Sequence, residues 1–198
     1  MTLQMPKVEL GRPATYADLA AIPDHLVAEL VNGELWTTPR PAPRHAVAAS
    51  RLGYLIGPRF EGGRGSPGGW RIVGEPELHL GNHSLVPDLA GWRVTRMPQL
   101  PTTAYFALVP DWVCEVVSPS TALLDRTRKL HVYAAHGVGH VWLVDPILRT
   151  LDVLRRGDDG HWVLLDTHAG DAVVRAEPFD TADLPLGSLW EDDDADPT

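Results

Sequence analysis

The stretch from residue 85 to residue 133 constrains this chain more than any other, because it puts acids and a lysine where charge is normally avoided. In DWVCEVVS, Asp111 to Ser118, β-branched and aromatic residues surround one charge, the pattern of a buried strand. Period-two geometry places Asp111, Val113, Glu115 and Val117 on one face. Glu115 is thus an acid among valines. An unpaired carboxylate there costs several kcal/mol, so it must be neutralised, paired or bound to a metal ion. The stretch LVPDLAGW reads as a second strand, with Val86, Asp88, Ala90 and Trp92 sharing a face and Pro87 limiting it to an edge or a strand start. If the two strands are neighbours, carboxylates about 4 Å apart repel by roughly 4 kcal/mol at an effective dielectric of about 20. A divalent cation removes that penalty, and hard oxygen donors suit Mg²⁺ or Mn²⁺ better than zinc.

The basic residues sharpen the picture. Of 17, 15 are arginine and only Lys7 and Lys129 are lysine. A lysine kept against that bias suits a task for a compact ammonium of tunable pKa, such as positioning or deprotonating a water. A helix from about Thr121 to His136, stopped by Gly137, stacks Asp125, Lys129 and Tyr133 at i, i+4 and i+8.

These pieces resemble the PD-(D/E)xK pattern, a Pro-Asp followed by an acid-x-lysine strand, except that Val117 stands where the lysine belongs. The departure has a parallel. Over nearly its whole length, through YADLAAIPD, ELVNGEL, PRPAPRHAVAASRL, GEPELHL, VPDLAGW, CEVVSPST, Lys129, Tyr133 and HGVGHVWLVDP, the chain resembles the Uma-type restriction endonucleases of bacteria, a branch of that superfamily. In that family the lysine has moved to the following helix, as Val117 and Lys129 suggest here. The resemblance implies an α/β (α+β) restriction-endonuclease-like fold, a mixed β-sheet flanked by helices. It also implies metal-dependent hydrolysis of DNA phosphodiester bonds. Asp88, Glu115 and the backbone carbonyl of Val116 would hold the metal, Lys129 would act on the water and the phosphate, and Glu29 would be a further acid near the metal. Asp125 and Tyr133 would support Lys129.

Other residues carry alternatives. Asn32-Gly33 is a strong hairpin signal, pairing Glu29 with Trp36 and Val31 with Glu34; on that reading alone Glu29 is equally a solvated charge. His45, at the start of a helix from about His45 to Phe60, is a metal ligand or phosphate contact, or else a capping or surface histidine. Asp145 before Pro146 reads as a strand-ending turn rather than a fourth acid. Cys114, on the opposite face from Glu115, reads as a small core residue. The histidines at 79, 83, 131, 136 and 140 have no CxxC or HExxH beside them, so zinc is disfavoured.

Composition bounds the rest. A chain of 198 residues suits one domain over residues 14–190, between a leader at 1–13 and an acidic tail at 191–198. The glycine-rich segment 62–69 lacks phosphate-loop spacing and reads as a connection. A single cysteine, no signal-like start and no membrane-length apolar run lead to the expectation of a soluble cytoplasmic protein. The net charge of −9, five units of it in the tail, excludes nonspecific coating of nucleic acid; DNA contacts would fall to clusters such as Arg40 with Arg44 or Arg126 with Arg128. The same acidity supports a different class of function, a noncatalytic binding or assembly protein that keeps the fold and pairs as a homo-oligomer, a dimer, through sheet edges. Hydrolysis of RNA or of a nucleotide is a third.

Overall fold

The computed structural model describes residues 7–62 and 68–190. The first six residues of the leader, most of the glycine-rich connection and the acidic tail lie outside the described residues.

Two main sheets form the body. The six-stranded sheet runs β11 (Trp162–Ala169), β10 (Thr150–Arg156), β9 (His140–Asp145), β8 (Trp112–Val116), β7 (Leu89–Arg93), β4 (Trp70–Gly74). It is mixed: β8 and β9 are parallel and the other pairs antiparallel. The five-stranded sheet runs β1 (Lys7–Val8), β3 (Glu34–Pro39), β2 (Leu26–Val31), β6 (His83–Leu85), β5 (Leu78–Leu80). So two residues of the stretch read as leader add an edge strand. A small ladder of β12 (Val173–Val174) and β13 (Leu184–Pro185) closes the C-terminal region.

Each face of the six-stranded sheet is covered. On one side α2 (Pro43–Phe60) lays Leu52, Ile56 and Phe60 against Trp112, Trp142 and Phe179. Pro43 takes the first helical position, where its missing N–H costs nothing. Cys114 belongs to this side, as its strand parity requires. On the other side Val113 and Val117 pack with Trp92, Leu78, Leu85 and Tyr133. Glu115 faces that second layer.

Thr15 caps α1 (Tyr16–Ala20) in a capping box with Asp18. Other local features follow the sequence expectations closely. The Asn32-Gly33 turn, with both residues at positive φ, joins β2 and β3 in the expected register, Glu29 opposite Trp36 and Val31 opposite Glu34. Gly137 ends α3 (Leu130–His136) at φ +86°, with the Gly137 N–H donating to Ala134 O and the Val138 N–H to Tyr133 O. Asp145 accepts from the N–H groups of Ile147 and Leu148, which makes it a turn residue.

Two elements differ from the reading. LVPDLAGW is not one strand: β6 ends at Leu85, β7 begins at Leu89, and the two lie in different sheets. Pro87 cannot donate to a ladder, and the chain changes sheets there, carrying Asp88 in the crossing. The Gly81-Asn82 turn therefore leads into β6. The helix before Gly137 also begins with a π-helical turn, Leu124–Lys129, before tightening into α3. β13 and the 3₁₀ turn at Leu186–Leu189 lacked a clear pattern because they span only two and four residues.

Gly91 sets a packing limit on β7. A Cβ there would lie 3.1 Å from Trp112 Cε3 and 3.2 Å from Trp70 Cε3. We expect Gly91→Val to lower unfolding free energy by about 1–3 kcal/mol through overpacking, read as a reduced urea midpoint at unchanged slope.

Candidate active site

Five chain segments deliver charged groups to one cavity of about 650 Å³, whose walls include Glu29, His45, Asp88, Glu115, Asp125 and Lys129. Glu115 comes from the centre of β8, buried because both neighbouring strands pair with it. Asp88 arrives on the crossing between sheets, and its strand abuts β8 through Leu89 opposite Cys114. Glu29 is carried in by the β2–β3 hairpin, which makes it buried rather than solvated. The π turn supplies Asp125 and Lys129, α3 supplies Tyr133, and the first turn of α2 supplies His45.

Lys129 is the hub. With 2 % of its side chain exposed, its Nζ lies 2.8 Å from Glu115 Oε1, 2.9 Å from Glu29 Oε1 and 3.5 Å from Asp125 Oδ1. Tyr133 donates its hydroxyl to the same Glu115 oxygen at 2.5 Å. Asp88 Oδ2 accepts the Val116 N–H at 2.7 Å, and Glu29 Oε1 accepts the Val86 N–H at 2.8 Å. His45 is neither a cap nor a surface residue: Ala42 is the N-cap position, and the ring points to Asp88, Nε2 lying 3.4 Å from Oδ1. Near the mouth the hydroxyls of Ser118, Ser120 and Thr121 form a cluster at 3.0–3.1 Å that sequence reasoning did not single out. The only signal for it was SPST just before a helical run.

Neither arginine cluster is simply displayed to solvent. Arg126 pairs with Asp152 at 2.9 Å, Arg128 binds Glu34 and lies over the Trp36 ring, and Arg40 donates to the Asp24 carbonyl.

A family model described as "Putative restriction endonuclease", Uma2, matches residues 13–186. The chain belongs to the Uma2 family. The uncharacterized protein slr1290 of Synechocystis sp. is 27% identical over 148 residues, covering 72% of this chain and 73% of that protein. A crystal structure of a "putative nuclease belonging to DUF820" from Anabaena variabilis superposes with a TM-score of 0.68 at 23% identity, covering 89% of this chain and 97% of that one. That likeness establishes the restriction-endonuclease-like fold for this Uma2 chain.

The electrostatics of the Uma2 cavity are unbalanced. Five carboxyls, Glu29, Glu75, Asp88, Glu115 and Asp125, line it with two cations, Arg40 and Lys129, and three of them, Glu29, Glu115 and Asp125, meet the Lys129 ammonium within 3.5 Å. Burial pushes Asp88 up to about 7, although the Val116 N–H and Lys129 oppose the shift. Burial likewise raises Glu115 and Asp125, again against Lys129. For Lys129, burial works to lower the pKa, but Glu115 and Glu29 overcome it and hold the ammonium well above an ordinary lysine. The direction favours the charged form of Lys129 beside these acids. Among the described residues no three His, Cys, Asp or Glu side chains form a ready-made metal cage. A magnesium-type site does not need one: one or two carboxylates, a carbonyl and water suffice. Asp88, Glu115 and the Val116 carbonyl are such a donor set, and the surplus of buried negative charge fits a cation.

The sign for stability follows. Between about pH 4 and pH 7 folded Asp88 holds a proton that the unfolded chain has released, so metal-free stability falls as pH rises through that window and levels off above it. The raised value corresponds to on the order of 4 kcal/mol. Asp88→Asn should therefore be more stable than wild type at pH 8 in chelator, by up to about that amount, and nearly equal at pH 4, as measured by urea unfolding. Lys129→Met should instead lose about 3–5 kcal/mol at pH 8, because it strands buried carboxylates; a deficit that shrinks on acidification would confirm the cause.

Proposed function

We propose that this Uma2 protein is a divalent-metal-dependent nuclease that hydrolyses DNA phosphodiester bonds in the cavity floored by Lys129. The observation that carries the reading is the convergence of three buried carboxyls on a single ammonium, with Asp88 in the same wall, open to a cavity large enough for a nucleotide phosphate. A purely structural ion cluster would be expected to balance its charges and exclude solvent space; this one does neither.

Asp88, Glu115 and the Val116 carbonyl would hold Mg²⁺ or Mn²⁺, which when bound supplies Lewis-acid polarisation and a more acidic water. The protein's own groups do the rest. Lys129, pinned by Glu29, Glu115 and Asp125, places a positive charge where a phosphoryl oxygen becomes more negative. Tyr133 and Asp125 keep that ammonium and Glu115 in one arrangement, since each makes a direct contact within the network. Glu29 tethers Lys129 to the β2 strand and to the Val86 N–H, just ahead of Asp88. The hydroxyls of Ser118 and Thr121, bonded to each other at 3.1 Å in the cavity wall, would offer neutral donors to phosphate oxygens.

The acidic cavity also bears on the competing reading of a noncatalytic binder. A polyanion gains nothing by approaching these carboxyls unless a cation intervenes, so nucleic-acid engagement should be metal-dependent here. Purified wild type should cut DNA with Mg²⁺ or Mn²⁺ and not with chelator. Asp88→Asn should be folded, more resistant to urea in chelator, and slower by at least about a hundredfold. Equal cutting by both proteins would place any activity elsewhere, and absence of metal-dependent cutting by the wild type on DNA, with cutting of RNA, would move the substrate class.

A further inference from the structure

The charged groups of the cavity are recessed, and that limits which form of DNA reaches them. Glu115 has 3 % of its side chain exposed, Asp125 5 % and Asp88 13 %. A phosphodiester that meets them has to enter the cavity and not rest on its rim. The volume, about 650 Å³, is that of a site that encloses a compact ligand. A paired duplex is a continuous rod with phosphates along its ridges and bases stacked inside. It inserts a nucleotide into such a space only by unpairing and unstacking it, whereas an unpaired strand enters without that cost.

The walls have the matching chemistry. Val27, Pro39, Pro41, Ala42, Val86 and Pro119 line the cavity. Their hydrocarbon suits a sugar or the face of a base, both of which an unpaired strand exposes, and gives nothing to a ridge of phosphates. Binding along a duplex depends instead on neutralising several phosphates in a row. The two cations of the lining are Arg40 and Lys129; Arg40 donates to the Asp24 carbonyl and Lys129 meets three acids. Arg126 and Arg128, in the turn that carries Lys129, pair with Asp152 and Glu34. A net charge of −9 and arginines engaged in this way work against duplex tracking.

We infer that the site takes DNA as an unpaired strand: one nucleotide enters the cavity, its sugar and base lie against the proline and valine walls, and its phosphate faces Lys129 and Asp88. Duplex is then a substrate only where it is frayed, mismatched or opened. This rests on the nuclease reading above and names the form of substrate for the same site.

The test presents one sequence in four forms: a short single strand, its fully paired duplex, the same duplex with a central unpaired bubble, and a dinucleotide. The kcat/KM of wild type is measured with Mn²⁺ and with Mg²⁺ over a series of salt concentrations, with Asp88→Asn as the blank. The single strand and the bubble should be cut at least about tenfold faster than the paired duplex, with cuts in the bubble substrate confined to its unpaired segment. With two cations in the lining, the logarithm of kcat/KM should fall with the logarithm of salt at a slope of about −1 to −2. Equal or faster cutting of the paired duplex, cuts outside the bubble, or a slope of about −5 or steeper, as several duplex phosphate contacts give, overturns the inference and leaves the nuclease reading intact. A dinucleotide cut as fast as the strand also overturns it, by making the ligand a free nucleotide. If no form is cut with either ion, the nuclease reading falls and the inference with it.

Discussion

One buried ammonium keeps this molecule's interior consistent. Lys129 meets Glu115, Glu29 and Asp125 with 2 % of its side chain exposed, and without it those carboxyls would have to take up protons or drive the π turn away from the sheet. The same contacts tie three segments distant in sequence: the first hairpin, the central strand β8 and the helix after it. The cluster is thus a structural fastening, and it is also the centre that the proposed function requires. The unbalanced count of acids is what separates the second role from the first.

The fold supplies what such a cluster needs. Aromatic layers on both faces of the six-stranded sheet exclude water, which makes each ion contact stronger and each unpaired charge more costly. The break at Pro87 lets Asp88 leave one sheet before the chain joins the next, so its carboxylate meets the backbone of Val116 instead of a ladder partner. The π turn places Lys129 after a wider coil than an α-helix would make, still within 3.5 Å of Asp125. These two irregular places carry the site; the regular elements around them carry stability.

Much of this was legible beforehand. A charge inside an apolar strand announces itself, and strand parity placed Glu115 opposite Cys114 correctly. Asn-Gly, Gly137 and the Asp145-Pro146 turn were legible for the same reason: local chemistry decides them and little else competes. His45 was ambiguous because histidine suits caps, surfaces and sites alike, and only its approach to Asp88 showed that it lines the cavity. The protonation state of Lys129 could not be read at all. Lysine among acids and lysine among hydrocarbons shift in opposite directions, and the balance depends on distances.

Sequence alone determined the kinds of group present and most of the local elements bearing them: one acid inside a buried strand, a second acid after Pro87, a lysine on a helix and a hairpin carrying Glu29. These follow from periodicity and turn chemistry, which act over a few residues. Tertiary structure decided that LVPDLAGW splits between two sheets, that Glu29 turns inward, and that three carboxyls share one ammonium. Those outcomes depend on which strands become neighbours and how much water is expelled between them, and burial and Coulomb energy are set in space rather than along the chain.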